Sequence, residues 1–328
     1  MTKPALTVHG LIKRFGNHVA VDGISFEVPR GVVFGILGPN GAGKSTTLRM
    51  INHIIAPDAG KITILDGLEP GRAAARQIGY LPEERGLYPK MRVVDMIIFV
   101  AELRGLKHSD AKHRAHAWLE RLGLADWAKN KVQDLSKGMA QKVQFATALI
   151  HEPALVILDE PWSGLDPINA EVLREVVDEI RTQGRTVLFS SHNMEQAEKL
   201  CDAVCIIARG KKVLDGKLRE IKRASAAEGV IALGFSDELS KERAEPVLTD
   251  PKLVIERKPP RPGEHADCEV VLADGAKPEQ LLKTLLNHDV GVRLFEVVVP
   301  TLHQIFVQKV GPEAAIAIRR EEEEGLVA

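Results

Sequence analysis

GPNGAGKST, residues 38–46, follows the apolar run VVFGIL at 32–37 and opens a helix-compatible stretch at 44–51. A glycine-rich turn between a strand and a helix start is a cradle for phosphate. Gly38, Gly41 and Gly43 let backbone N–H groups close around an anion without side-chain clash, and Pro39, Asn40 and Ala42 complete the turn. The helix start adds its partial positive charge. Lys44 supplies a full charge near the β- and γ-phosphates of a nucleotide, the Ser45 hydroxyl is a hard-oxygen ligand suited to Mg²⁺, and Thr46 closes the motif. A surface turn with a chance lysine is the bland alternative, and the strand–turn–helix order argues against it.

Downstream, LVILDE at 155–160 ends an apolar run on two acids, Asp159 and Glu160. One carboxylate at the end of a buried strand can hold Mg²⁺, and its neighbour can orient or deprotonate an attacking water. Alone, such a run could be a strand meeting a solvated turn; beside a phosphate cradle the two acids acquire a task. LSKGMAQ at 135–141 leads into a helical pattern carrying Val143, Ala146 and Ile150. Ser136 is a natural N-cap, and a helix starting there points bare N–H groups at an anion, although plain capping explains the serine as well.

Near-continuous apolar runs at 32–37, 154–158 and 186–189 predict a parallel sheet covered on both faces. Segments at 6–8 and 24–28 predict an antiparallel β layer ending at Pro29 and Gly31. An α-rich insertion occupies residues 90–150. In it Val94, Ile97, Ile98 and Ala101 form one helical face, open to packing or to a partner; after a cap at Ser109, residues Ala111, Ala115, Trp118, Leu119 and Leu122 form another. His108, His113 and His116 lie on a polar helix without a nearby carboxylate and read as solvated side chains.

The 328 residues are 45% hydrophobic and 27% charged, enough for two soluble domains, and no internal repeat divides them. A net charge of -1 gives no electrostatic reason to expect nucleic acid. No apolar run approaches bilayer-spanning length, and MTKPALTVHG lacks the apolar core of a signal peptide, so a cytoplasmic protein is expected. Cys201 and Cys205 read as buried reduced thiols. Past Lys222 the pattern changes: RASAAEG is a candidate linker, short strands at 230–233, 269–272 and 294–299 alternate with a helix at 279–286, and KPPRPGE at 258–264 must be a loop. The division expected is 1–222 and 223–328, the latter a small α+β domain ending in a solvated tail where Arg319 and Arg320 precede Glu323 and Glu324 at helical spacing.

GPNGAGKST, LSKGMAQ, LVILDE, SGLDP at 163–167 and SSH at 190–192 occur in the order and approximate spacing of the nucleotide-binding domain of ATP-binding cassette (ABC) proteins, which residues 6–221 resemble. The resemblance implies an α/β fold, a P-loop NTPase of ABC type with an antiparallel β layer and an α-helical insertion, that hydrolyses ATP with Mg²⁺. It implies two ATPase subunits, identical or related, sandwiching two ATP molecules head to tail, so that each site joins one subunit's phosphate loop to the other's signature helix. It further implies a separate integral-membrane permease that holds the subunit at the cytoplasmic face. Carried over, Phe15 is the aromatic that stacks on adenine, Asp159 the magnesium carboxylate, Glu160 the catalytic base, and His192 the switch histidine at the γ-phosphate. Ser136 and Gly138 become the residues that reach that phosphate across the dimer, and Asp166 an interface residue.

Two departures stand out. Glu83 occupies the place of the usual glutamine after IGYLP, offering Mg²⁺ a charge instead of a neutral carbonyl, and Lys137 and Met139 replace glycine and glutamine in the signature. YLPEERGLYPKM at 80–91, LSKGMAQK and the appended domain ending FEVVVPTLHQIF resemble exporter-type ATPase subunits similar to the sodium-efflux pump ATPase. A soluble ABC ATPase acting on translation or DNA is the alternative. It fits less well, because a single phosphate loop and a compact, cysteine-free insertion replace tandem cassettes, coiled coil or zinc modules.

Overall fold

The computed structural model describes residues 3–84, 86–163, 165–226, 229–260 and 265–311. They fall into two compact units, Met1–Lys217 with Lys309–Ala328, and Leu218–Gln308.

In the first unit, β1 (Leu6–Phe15) and β2 (His18–Val28) form an antiparallel hairpin whose register closes at Phe15 opposite His18. β3 (Val33–Leu37) runs into the glycine turn and α1 (Lys44–Ile51), after which β4 (Ala59–Ile64) returns to the free edge of β1. A one-turn helix α2 (Arg72–Ala75) precedes β5 (Ile78–Leu81). The insertion is α3 (Val93–Leu103), α4 (His108–Arg121) and α5 (Lys137–Leu149). Then follow β6 (Leu155–Asp159), α6 (Pro167–Thr182), β7 (Thr186–Ser191), α7 (Met194–Leu200), β8 (Ala203–Ala208) and β9 (Lys211–Lys217).

Two sheets result: a three-stranded antiparallel β2-β1-β4, and a six-stranded β5-β6-β7-β3-β8-β9 that is parallel except for β9. Every residue of β3, β6, β7 and β8 is buried, which is why these strands read as unbroken apolar runs rather than as alternation. Each large apolar side chain removed from water here contributes about 1.5–3 kcal/mol. Val94, Ile97, Ile98 and Ala101 are all buried, so that helical face is spent on packing.

Three expectations need correction. Ser109 is not the cap of α4: the helix starts one residue earlier, and the Ser109 hydroxyl turns to Asp110. His108 does have a carboxylate beside it, Glu102, at 2.7 Å. The linker is also misplaced, because Arg223–Ala226 continue α8 (Leu218–Ala226), and the unit boundary falls at Lys217 rather than Lys222. The apolar, regularly spaced Leu218 and Ile221 start a helix that the small residues after them do not interrupt.

The second unit continues with β10 (Val230–Phe235), α9 (Glu238–Leu248), β11 (Val254–Lys258), β12 (Cys268–Leu272), α10 (Pro278–Asn287), β13 (Val292–Val297) and α11 (Leu302–Val310). Its sheet is antiparallel in the order β11-β12-β10-β13, and Ile231, Leu233, Val270, Leu281 and Leu285 centre a separate core. β11 and α9 were not expected. The helix contains Pro246, which masks it, and β11 has only Val254 buried, which weakens its pattern. Part of the proline-rich segment and the charged tail lie outside the described residues. Cys201, Cys205 and Cys268 are free and buried, and burial raises all three thiols, Cys205 to about 12. Among the described residues no helix is long and apolar enough to cross a membrane.

Candidate functional site

The carboxyl ends of β3, β6 and β7 meet because these strands are neighbours in one parallel register, with Leu37 opposite Ser191 and Asp159 opposite Ser190. The loop after β3, the acids ending β6 and the histidine after β7 therefore converge where open parallel sheets bind ligands. The glycines make the loop possible. Gly38 has φ 150, and a Cβ there would stand 2.0 Å from the Ile207 carbonyl oxygen; Gly43, at φ 100, would meet the Ala20 oxygen at 2.4 Å. Gly38 N–H donates to Ser191 O at 3.2 Å, tying the loop to β7.

Lys44 is buried. Its Nζ donates to the carbonyls of Gly38 at 2.8 Å and Pro39 at 3.0 Å, and lies 3.4 Å from Glu160 Oε1. That oxygen has an ion pair but no hydrogen bond. The other oxygen of Glu160 meets His192 Nδ1 at 3.0 Å. Ser45 donates to Asp159 Oδ1 at 3.0 Å, while Asp159 Oδ2 is buried with no partner. An orphaned carboxylate oxygen beside a hydroxyl is the donor chemistry of a hard divalent cation, so the residues fit Mg²⁺. Among the described residues no three His, Cys, Asp or Glu are grouped to hold a metal by themselves, so phosphate oxygens and water would have to complete the shell.

A cavity of about 420 Å³ lies over this arrangement, lined by the loop residues Asn40 to Thr46 together with Phe15, His18, Glu83 and Glu160. Phe15 is 51% exposed, an aromatic presented to the cavity rather than packed in the core. Burial, followed by the charges of Asp159 and Glu160, pushes the Glu83 carboxyl above its ordinary range.

Not every expected residue joins the cavity. Gly38, Pro39, Asp159 and His192 are not in its lining but bond to lining residues Lys44, Ser45 and Glu160, whereas Ser136 and Gly138 do not line it at all. Ser136 caps α5, accepting from Met139 N–H at 3.3 Å, and its side chain is exposed. Asp166 caps α6 in the same way, and the N–H and side-chain amide of Asn169 hold its carboxyl low.

A family profile described as "ABC transporter" matches residues 21–163, and one described as "ATP-binding protein DrrA1-3-like, C-terminal domain" matches residues 216–310. The "Uncharacterized ABC transporter ATP-binding protein YhaQ" of Bacillus subtilis is 41% identical over 93% of this chain and 98% of its own length. The chain belongs to the ATP-binding subunits of ABC transporters. The Nod factor export ATP-binding protein I of a Rhizobium species is 32% identical over 95% of this chain and 99% of its own. A solved structure titled as an ATP-binding subunit of an ABC transporter superposes with a TM-score of 0.63 at 32% identity, covering 67% of this chain and 93% of that one.

As an ABC subunit the chain is a P-loop ATPase that hydrolyses ATP to power a separate membrane permease; translation and DNA find no support. Ser190 carries no signal of its own in the sequence. SSH at 190–192 enters as a motif match that points to His192, and only the register across β6 and β7 shows that the first serine faces the acid pair.

Proposed function

We propose that this ABC subunit hydrolyses Mg-ATP at the cavity over its phosphate loop, as one of two subunits that close on each other and drive an exporter from the cytoplasmic face of the membrane. The observation that carries the reading is the contact between buried Lys44 and Glu160, extended to the exposed His192, beside buried Asp159, whose free oxygen fits a cation.

Phe15 stacks on adenine, the loop N–H groups and Lys44 hold the phosphates, and Ser45, Asp159 and Glu83 serve the metal site. Bound Mg²⁺ supplies neutralisation of the developing phosphate charge. Glu160 accepts the proton of the attacking water, and His192 fixes that carboxylate by its hydrogen bond. Ser136 and Gly138, outside this chain's own cavity, supply the anion site of the partner subunit's nucleotide; this is what the exposed start of α5 supports. Likeness along the full length to a protein named for Nod factor export supports the outward direction.

Glu160→Gln tests the centre. Turnover should fall by about 10²- to 10⁴-fold while ATP binding persists and ATP-bound dimers accumulate on size exclusion. Wild-type turnover would remove Glu160 from the chemistry. The second unit is proposed as an accessory domain acting on the dimer or the permease, because every nucleotide motif precedes Leu218. A chain ending at Lys217 should still bind Mg-ATP with near-parent affinity by calorimetry, and loss of binding in a folded truncation would refute the division.

A further inference from the structure

Ser190 is fully buried on β7, directly opposite Asp159 on β6. Its hydroxyl donates to Asp159 Oδ1 at 2.6 Å and accepts from the Glu160 N–H at 2.9 Å. One side-chain oxygen thus touches both members of the acid pair, the carboxylate of the first and the backbone of the second.

Each contact has a physical consequence. Asp159 Oδ1 also accepts from Ser45, so two hydroxyls engage the same oxygen and leave the buried, unpartnered Oδ2 as the available ligand atom. Glu160 stands at φ 46, in the left-handed region that costs a glutamate free energy and persists only where the surroundings enforce it. The Ser190 oxygen satisfies the N–H of that strained residue. An apolar side chain in its place would leave the N–H buried and unpaired and free the Asp159 carboxylate to rotate.

We propose that Ser190 is a positioning residue of the ATPase, fixing which Asp159 oxygen is offered to the divalent cation and holding Glu160 in its strained turn. The inference rests on Asp159 as the metal carboxylate and Glu160 as the base.

Threonine and valine at this position have nearly the same shape and differ by one hydroxyl, so Ser190→Thr and Ser190→Val, with Ser190→Ala beside them, isolate the hydrogen bonds. The readouts, on the full chain, are kcat and the gain in affinity for a fluorescent ATP analogue when Mg²⁺ replaces chelator. Ser190→Thr should stay within about twofold of the parent, while Ser190→Val and Ser190→Ala lose about tenfold or more in kcat and in the metal-dependent gain, with affinity in chelator unchanged. A serine that only supports the fold would lower Tm and leave the metal-dependent gain intact. The proposal is overturned if folded Ser190→Val matches Ser190→Thr in both readouts, or if folded Ser190→Thr loses as much as Ser190→Val. Should Ser190→Ala not fold, the threonine and valine pair decides. Asp159→Asn separates the two levels: if it keeps the metal-dependent gain, the site reading itself falls, whereas if it loses the gain and Ser190→Val does not, only the role of Ser190 falls.

Discussion

Two helix starts in the same unit, those of α1 and α5, share one piece of backbone physics and differ in completeness. α1 begins at a left-handed Gly43 with no side-chain cap, and buried Lys44, Asp159 and Glu160 surround its first turn. α5 begins at Ser136, which satisfies one of its N–H groups with its own hydroxyl, and that start is exposed. The first is the proposed phosphate site, with its charged groups all in one chain. The second is a capped helix in this chain, and in the proposed dimer the same dipole and orphan donors are half a site rather than a whole one.

The comparison breaks most readily at Lys44. Charge-assisted contacts to phosphate are worth about 1.5–3 kcal/mol each, so Lys44→Ala should weaken Mg-ATP binding by tenfold or more and abolish turnover, with the circular dichroism spectrum unchanged. Unchanged affinity would mean that α1 does not hold the nucleotide. Next in size is Ser136→Asp, which keeps a good cap but places a negative charge where the proposed γ-phosphate arrives. The isolated subunit should bind Mg-ATP as before, while ATP-driven dimerisation and turnover drop by roughly tenfold or more. Full turnover would leave α5 a capped helix and nothing else.

The smallest effect is expected at Glu83. Its carboxyl is raised in the fold by burial and by neighbouring acids, so its contribution to stability is present at low pH and is lost as pH rises through that raised value. Glu83→Gln should therefore raise Tm slightly at neutral pH without nucleotide, and the difference should vanish below the ordinary carboxylate range. It should also soften the penalty for binding ATP in chelator. A Tm difference that ignores pH would place Glu83 away from the acid pair.

Much of this was legible beforehand, for identifiable reasons. α1 and the strand before it follow from glycine spacing and an apolar run, and both are local signals. Asp159 and Glu160 were marked by chain order, while their relation to Lys44 and His192 depends on which strands are neighbours. Ser190 was hidden for the same reason: a serine in a buried strand looks like any small residue until the opposite strand is placed. α8 is masked because the small residues of RASAAEG resemble a linker, and the two apolar positions that start the helix, Leu218 and Ile221, are too short a pattern to outweigh them. β11 escaped because a strand with one buried side chain carries almost no pattern.

The three buried thiols give each unit its own clock. Cys201 and Cys205 lie in the first unit and Cys268 in the second, and no disulfide ties them. A thiolate-seeking reagent can reach them only when the surrounding structure opens, and burial keeps them protonated until it does. Alkylation followed by peptide mapping would therefore record how often each half of the chain opens. Occupancy of the phosphate loop should slow the first pair, leaving Cys268 as an internal reference for the unit that carries no nucleotide motif.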